Sequence, residues 1–149
     1  KIRAIRDTAQ SRGRDVFINA RTDVFLRSLV PDGDAVDETL RRLRLYREAG
    51  ADGGFVPRLT DLDRLTAITK AAEMPINAMY IPGIADVAAL AAAGIARVSL
   101  GGALFLASLS LVQRAAGEFL RSGTYAELAG AITVSHAQAN GLFAGPRRA

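Results

Sequence analysis

Short apolar segments alternate with amphipathic segments along the chain, and this pattern predicts strands that alternate with helices. The predicted strands are Val16 to Ile18, Gly53 to Pro57, Pro75 to Tyr80 and Ala96 to Leu100. The predicted helices are Lys1 to Arg12, Asp34 to Gly50, Asp61 to Glu73, Asp86 to Gly94, Ala103 to Arg121 and Thr124 to about Asn140. Strands that are joined through helices pair in parallel, so the predicted fold class is α/β.

Capping residues support the ends of several of these helices. Asp34 is a candidate N-cap, and Asp37 and Glu38 follow it in the first turn, where acidic side chains suit the helix dipole. Gly50 and Gly94 each follow a helix and precede a strand, and glycine at such a position supplies a left-handed C-cap before a tight turn.

The number of strand–helix units is small for the architecture that their spacing suggests. Four βα units are present, whereas a (β/α)8 barrel needs eight units and about 250 residues. With 149 residues, the chain is half of a barrel, an open doubly wound sheet, or part of a longer chain. We assign residues 1–123 to the half-barrel of βα units and residues 124–149 to a C-terminal helix and a frayed tail.

Composition excludes several kinds of site. The chain has no cysteine and a single histidine, His136, so disulfides, thiolate metal sites and multi-histidine zinc sites are ruled out. We expect His136 to be structural. The net charge of +4 comes almost entirely from arginines that are interspersed with acidic residues, and no aromatic–basic cluster occurs. This distribution is typical of a solvated surface, and we therefore expect no nucleic-acid partner.

Neither a membrane span nor an N-terminal signal is expected. The longest apolar run, Ala103 to Val112, is shorter than the roughly 18 residues that a span needs. The chain opens with Lys1-Ile2-Arg3, which leads directly into a helical pattern. The cytoplasm is the expected compartment.

The first candidate chemistry follows the first predicted strand. Because functional groups in parallel α/β folds lie where strands end, the segment from Asn19 to Asp23 is a candidate site. Arg21 can present a planar fork to a carboxylate or phosphate, and Asp23 can hold that arginine in place. The alternative is a structural Arg21–Asp23 pair that closes the strand end.

The other strand ends carry weaker signals. Arg58, after the second strand, is more typical of a surface arginine than of an anion contact. Asn77 lies within the third strand, where asparagine is depleted, so it is either a ligand contact or a brace between strands. Gly101 and Gly102 follow the fourth strand and can expose backbone N–H groups to an anion, although a tight turn needs glycines as well.

The segment from Ile18 to Asp23 resembles the isocitrate lyase / phosphoenolpyruvate mutase superfamily. The resemblance covers roughly Lys1 to Ala129. Within this range the matching segments after Asp23 are Tyr46 to Asp52 with Phe55, Pro75 to Asn77, and Gly94 to Gly101 with the long helix that follows. It implies the C-terminal half, about four βα units, of a (β/α)8 TIM-type barrel with C-terminal helices. Members of the superfamily are Mg²⁺-dependent and act on small 2-oxo or 2-hydroxy acids through an enolate-like intermediate.

The resemblance also assigns roles to residues of this chain. Arg21 matches the arginine that holds a substrate carboxylate or phosphonate, and Asn77 matches a polar position that contacts substrate in several members. Asn19, Asp23 and Gly101 complete the substrate-binding set that we predict. Pro57 stands roughly where methylisocitrate-lyase-like members carry a glutamate, which argues against methylisocitrate as the substrate.

The catalytic residues and the Mg²⁺ ligands of the superfamily precede the segment that Lys1 matches, so we predict neither within this chain. The superfamily commonly forms tetramers that exchange the last helix between subunits. The resemblance thus implies a homo-oligomer, with Thr124 to Asn140 as the segment that would be exchanged.

The function predicted is that of a lyase-type enzyme that cleaves a C–C bond of a small carboxylate or oxo-acid, or decarboxylates it. Two alternatives stay open. One is P–C bond chemistry of the phosphoenolpyruvate mutase or phosphonopyruvate hydrolase type. The other is a half-barrel that binds a carboxylate without catalysis.

Overall fold

The strands pair in parallel and lie in the order in which they occur in the chain. The structure, a computed structural model, describes residues 1–143. The strands are β1 (Asn19–Arg21), β2 (Gly53–Val56), β3 (Ile76–Met79) and β4 (Ile95–Ser99). This arrangement confirms the predicted α/β class with helical crossovers between parallel strands.

Helices connect the strands and continue after them. They are α1 (Ile2–Ser11), α2 (Val24–Arg27), α3 (Ala35–Glu48), α4 (Leu62–Ala71), α5 (Val87–Ala92), α6 (Ala103–Ser122), α7 (Ala126–Ala131) and α8 (His136–Phe143), with a 3-10 turn at Asp32–Asp34. The chain divides into two compact units, Lys1–Gly101 and Gly102–Ala149. The first unit holds the sheet and α1 to α5, and the second holds α6 to α8. The domain boundary at residues 123 and 124 stays a prediction.

The hydrophobic core of the first unit lies between the sheet and the helices α3 and α4. Val56, Ile76 and Ala78 are fully buried from the strands, and Leu43 and Leu65 are fully buried from the helices. Gly54 lies at the closest approach of these layers, because a Cβ there would clash with the Leu43 side chain. Burial of this apolar surface is the main source of stability for the unit.

A polar cluster, which we call the Arg6–Asp52 clamp, ties α1 to the amino ends of β1 and β2. The Arg6 guanidinium donates to the carbonyl of Gly50 (Nη2–O 2.8 Å), to the carbonyl of Val16 (Nη1–O 3.2 Å) and to the Asp52 carboxylate. The same carboxylate accepts from the Ile18 N–H at 2.6 Å. The Ile18 N–H, with Arg6 beside it, holds the pKa of Asp52 below its usual value.

Aspartate side chains and glycines cap several of these helices. Asp61 and Asp86 accept hydrogen bonds from backbone N–H groups in the first turns of α4 and α5, at 3.0 and 2.8 Å. Gly50 and Gly94 adopt φ of +97° and +85°, which confirms the left-handed C-caps. Asp34 occupies the N-cap position of α3, but its side chain makes no capping hydrogen bond.

The first strand was predicted three residues too early. The predicted run was Val16 to Ile18, whereas β1 is Asn19–Arg21 and pairs with Gly53 to Phe55 of β2. Phe17 is 68% exposed, and the Ile18 N–H is bound by the Asp52 carboxylate instead of a neighbouring strand. Regular pairing with β2 therefore begins only after this contact.

The last predicted helix, Thr124 to Asn140, is divided into α7 and α8 by residues 132–135. The three consecutive β-branched residues Ile132, Thr133 and Val134 disfavour helix there. Ser135 and Gln138 then form a capping box: the Gln138 side chain accepts from the Ser135 N–H at 2.9 Å, and the Gln138 N–H donates to the Ser135 hydroxyl at 3.2 Å. The Ser-x-x-Gln spacing was a readable signal for this helix start. The tail after Phe143 lies outside the described residues.

Thr124, the predicted first residue of the last helix, does not cap α7. Its hydroxyl instead donates to the Glu118 carboxylate at 2.6 Å. That carboxylate accepts from the backbone N–H groups of Ala126 and Glu127 at 2.9 and 2.8 Å, so it caps α7 from the preceding helix. The Thr124 hydroxyl and these two N–H groups hold the pKa of Glu118 below its usual value.

The helix α6 is longer than the apolar run that was considered for a membrane span. It has 20 residues, and its most apolar 18-residue window has a mean hydropathy of 1.2 and is 6% buried. By length and composition alone such a helix can cross a membrane. A single helix of this kind is weak evidence, and the absence of a membrane partner stays a prediction.

Candidate functional site

A row of four side chains crosses the sheet at one level. Backbone register places Arg21 opposite Phe55, Phe55 opposite Asn77, and Asn77 opposite Arg97. We call Arg21, Phe55, Asn77 and Arg97 the inner row. Adjacent strands lie about 4.8 Å apart, so the row spans roughly 14 Å from Arg21 to Arg97.

The inner row lies on the face of the sheet that points away from the helical core. Val56, Ile76 and Ala78, the strand neighbours of the row, are buried in the core against the helices. Because successive side chains of a strand point to opposite faces, Phe55 and Asn77 project from the other face. In a barrel this face surrounds the central axis, and substrates bind at its carboxyl-terminal end, where β1 ends at Arg21.

Arg21 is held by an aspartate while its guanidinium stays accessible. Its Nε lies 2.8 Å from Oδ1 of Asp23, and the Arg21 side chain is 55% exposed. The other carboxylate oxygen of Asp23, Oδ2, lies 3.5 Å from Nε of Arg27. One carboxylate therefore pairs with two guanidinium groups. The resulting net positive charge favours binding of an anion at this end of the row. Both interpretations of the pair, orientation of Arg21 and closure of the strand end, fit this geometry.

Asn77 is the most deeply buried member of the predicted site. It is 3% exposed, and both its amide nitrogen and its amide oxygen are buried without a hydrogen-bond partner among the described residues. The prediction that it braces neighbouring strands is not supported, because a brace would bond its side chain. A 2-hydroxy carboxylate can satisfy both atoms, since its carboxylate accepts from Nδ2 and its hydroxyl donates to Oδ1.

Gly101 lies beside the end of β3, but its N–H already has a partner. Its φ is +53°, and a Cβ there would lie 3.4 Å from the Met79 sulfur. The Gly101 N–H donates to the Ser99 hydroxyl at 3.3 Å, so this group must be released before it can bind an anion. The role of Gly101 in substrate binding stays a prediction.

Asn19 lies on the same face as Arg21, two residues nearer the amino end of β1. Its register partner is Gly53, so it belongs to a layer next to the inner row. The structure thus places Arg21 and Asn77 in one row, Asp23 against Arg21, and Asn19 one layer away. The role of Asn19 in substrate binding also stays a prediction.

Three other residues that the sequence analysis discussed are not members of the inner row. Arg58 is exposed in the turn after β2, where it adopts φ of +68°. Pro57 is fully buried at the end of β2. His136 is exposed at the start of α8, in the second unit.

The sequence interpretation missed Arg97. It was noted only as part of a matched segment, and its alignment with Asn77 depends on the pairing of β3 with β4, which includes a register irregularity between Ile76 and Asn77. Two signals were available: an arginine in the middle of a predicted strand, and the β-branched Ile95 and Val98 on either side of it.

Metal-binding chemistry does not fit the described residues. Within residues 1–143 no three acidic or histidine side chains converge on one point. The carboxylate nearest the inner row, that of Asp23, is engaged by Arg21 and Arg27. The described site is therefore suited to binding an anion through guanidinium and amide groups.

The parallel sheet and its inner row define part of a (β/α)8 barrel. The model of the phosphoenolpyruvate phosphomutase family matches residues 1–120 of the chain. The chain therefore belongs to this family, within the isocitrate lyase / phosphoenolpyruvate mutase superfamily.

Known relatives agree with this assignment. The uncharacterized protein Rv1998c of Mycobacterium tuberculosis is 39% identical over 125 residues, which cover 80% of this chain and 47% of that protein. The chain thus spans about half the length of the curated relatives that it matches.

Solved structures share the fold. A lyase/mutase-type protein of Burkholderia cenocepacia is 36% identical, with a TM-score of 0.85 over 97% of this chain and 51% of that one. A phosphonomutase-type protein of the same organism is 41% identical, with a TM-score of 0.71 over 76% and 46% of the two chains. A 2,3-dimethylmalate lyase, 24% identical over 84% and 44% of the two chains with a TM-score of 0.69, shows the fold alone.

Proposed function

We propose that this chain belongs to an enzyme that cleaves a C–C bond of a small 2-oxo or 2-hydroxy carboxylate, or decarboxylates it. The observation that carries the proposal is the inner row, in which Arg21 and Asn77 face the same side of a parallel sheet. Membership of the family makes an enzyme plausible, since its superfamily includes lyases, mutases and hydrolases.

In this proposal Arg21 binds the anionic end of the substrate. Asp23 holds the guanidinium at the carboxyl end of β1, so less side-chain freedom is lost when a carboxylate binds through two parallel hydrogen bonds. Asn77 orients the other end of the molecule through its free amide. Such orientation contributes to catalysis because it places the bond that breaks in a fixed position.

A divalent cation, expected to be Mg²⁺ from the resemblance, is part of the proposal for the whole enzyme. The described residues do not form a site that fits it, so its ligands would have to come from outside them. For this reason the roles given to Arg21 and Asn77 concern substrate binding and orientation only.

Phosphorus–carbon chemistry is the second candidate. Arg21 fits a phosphonate as well as it fits a carboxylate, because both present a pair of oxygens to the guanidinium fork. The similar structure at 41% identity is that of a phosphonomutase-type protein, which favours keeping this candidate. A half-barrel that binds a carboxylate without catalysis is the remaining alternative.

The proposal also includes the compartment and the oligomeric state that the sequence analysis predicts. We infer a cytoplasmic homo-oligomer, with a tetramer that exchanges its C-terminal helices as the specific form. The exposed apolar side chains of the second unit, among them Phe119, Leu120 and Leu142, support an apolar contact between copies.

The deciding experiment measures turnover by the protein as its host makes it, with magnesium chloride present. Oxaloacetate and 2-alkylmalates represent the carboxylate substrates, and phosphonopyruvate represents the phosphonates. We expect cleavage of the carboxylates, and we expect Arg21→Lys to weaken substrate binding by about 1–3 kcal/mol because a point charge replaces a fork. Turnover of phosphonopyruvate alone supports the second candidate, and binding without any turnover supports the non-catalytic alternative.

A further inference from the structure

The sheet ends in two strands that each have a free edge. Within residues 1–143, β1 pairs only with β2, and β4 pairs only with β3. A free edge presents unpaired N–H and C=O groups that can pair with a strand of another chain. Both edges run in the same direction, because all four strands are parallel. The β1 edge of one molecule can therefore extend the β4 edge of another as a parallel neighbour.

An uncovered apolar groove lies beside the β1 edge. Its volume is about 460 Å³, and its lining includes Ala4, Ile5, Thr8 and Ala9 of α1 and Val16, which leads into β1. Ile5 is 51% exposed. The groove thus leaves apolar surface in contact with water, and a second molecule that covered it would gain the free energy of burying that surface.

The helix at the opposite edge of the sheet exposes an apolar face. The helix α5 contacts β4, and its buried side, at Leu90, belongs to the hydrophobic core. Its other side is exposed and carries no polar side chain; the residues there are Val87, Ala88, Ala91 and Ala92. Small side chains let two helices pack at a short distance. A groove at one edge and a smooth helix face at the other are surfaces of a kind that can pack together.

We propose that two copies of this chain associate edge to edge and close one eight-stranded barrel. A two-fold axis parallel to the strands places β4 of each copy beside β1 of the other, and we call each of these two contacts a seam. At each seam the α5 face of one copy packs into the α1 groove of the other. Four strands from each copy give the eight parallel strands of a (β/α)8 barrel, with neither edge left free.

The occupant is a second copy because the two edges complement each other and the strand count closes. This interface lies within the first unit, Lys1–Gly101, and is separate from the contact between copies that is proposed for the second unit. It also completes the inner row, which stops at Arg21 on one edge strand and at Arg97 on the other. That last consequence rests on the proposed function, whereas the association itself does not.

The test uses two charge variants of the 149-residue chain, one at each edge. Ile5→Glu places a carboxylate in the groove, and Ala91→Lys places an ammonium group on the α5 face. In a pair of identical copies, either variant buries an unpaired charge at both seams. We therefore expect each variant alone to dissociate with a constant raised by about a hundredfold, measured by analytical ultracentrifugation.

Mixing the two variants distinguishes the seams from every other contact between copies. In a mixed pair, one seam brings the two introduced charges together, and the other seam carries neither substitution. We expect an equimolar mixture to associate about tenfold more tightly than either variant alone. Leu45→Glu, at an exposed apolar position of α3, is the matched control and should associate as the unaltered chain does.

Circular dichroism of each variant checks that it is folded, and Thr8→Glu with Ala88→Lys repeats the test at neighbouring exposed positions. A monomeric unaltered chain overturns the inference. Edge variants that associate as tightly as the unaltered chain also overturn it, because the copies then meet elsewhere, as they would through the second unit. Folded variants that lose association and do not regain it on mixing overturn the two-seam arrangement. Loss in each variant with recovery in the mixture supports it.

Discussion

The Arg6–Asp52 clamp and the inner row both combine arginine with a polar neighbour, yet they differ in how far their polar groups are satisfied. In the clamp, the guanidinium donates to two carbonyls and a carboxylate, and that carboxylate also accepts a backbone N–H. In the inner row, the Asn77 amide has no partner and Arg97 has no ion pair within the described residues. The comparison distinguishes polar groups that stabilise this sheet from polar groups that lack partners among the described residues, as the proposed binding role requires.

The difference has an energetic side. A hydrogen bond to a charged group contributes about 1.5–3 kcal/mol, whereas a buried unpaired amide costs about 1–3 kcal/mol. The clamp thus stabilises the fold at the amino ends of β1 and β2, and the row lowers stability in the middle of the sheet. If this contrast holds, substitutions in the two regions change the free energy of unfolding in opposite directions.

The largest effect is expected from Arg6→Met, which keeps the apolar stem and removes every hydrogen bond of the guanidinium. The carbonyls of Gly50 and Val16 and the Asp52 carboxylate each lose a donor, so we expect unfolding to become easier by about 2–3 kcal/mol. Urea unfolding measures the change. Arg3→Met, at an exposed position of the same helix, controls for the lost charge, and an equal loss in both variants would contradict the role of the clamp.

A smaller loss, about 1 kcal/mol at neutral pH, is expected from Asp52→Asn, because asparagine still accepts from Ile18 but carries no charge. The folded-state pKa of Asp52 is lowered, whereas an unfolded aspartate titrates near 3.9. The stabilisation is therefore present above about pH 4 and is lost as the pH falls through the folded pKa.

Urea unfolding of the unaltered protein and of Asp52→Asn, measured between pH 7 and pH 3, checks this prediction. The difference between unaltered protein and Asp52→Asn should be constant at neutral pH and should shrink in acid. Asp7→Asn, on the exposed side of α1, controls for the loss of one negative charge. A difference that is the same at every pH would show that the charge of Asp52 does not contribute.

Asn77→Leu is expected to act in the opposite direction. Leucine replaces an amide that has no partner among the described residues by an apolar side chain of similar size, so the free energy of unfolding should rise by up to about 1 kcal/mol while carboxylate binding is lost. Thr39→Val is the matched variant, since the Thr39 hydroxyl is also buried without a partner within residues 1–143 but lies in α3. It should stabilise the protein and leave binding unchanged. Destabilisation by Asn77→Leu would indicate that the amide is bonded in solution.

The smallest change in stability is expected from Arg21→Met. The side chain is 55% exposed, and exposed ion pairs contribute little, so the free energy of unfolding should change by less than about 0.5 kcal/mol. Carboxylate binding, measured by calorimetry, should nevertheless be lost. A variant that loses stability and binding together would assign Arg21 to the closure of the strand end.

The sequence was sufficient for three of the four strands and for most helices because their signals are local. Apolar runs, the capping aspartates Asp61 and Asp86, and the left-handed Gly50 and Gly94 act within a few residues. Arg97 was missed because its meaning depends on register between strands. The start of β1 was missed for a related reason, since Asp52, 34 residues from Ile18, binds the N–H that precedes the strand.

The order of the strands bears on how the chain acquires its structure. Each strand pairs only with the strand before or after it in the sequence, so every ladder closes over one helical crossover. A chain that leaves the ribosome at about 5–20 residues per second can add each new strand to an edge that already exists. The growing sheet thus serves as the template for its own extension, and the delay between consecutive strands is set by translation through the intervening helix.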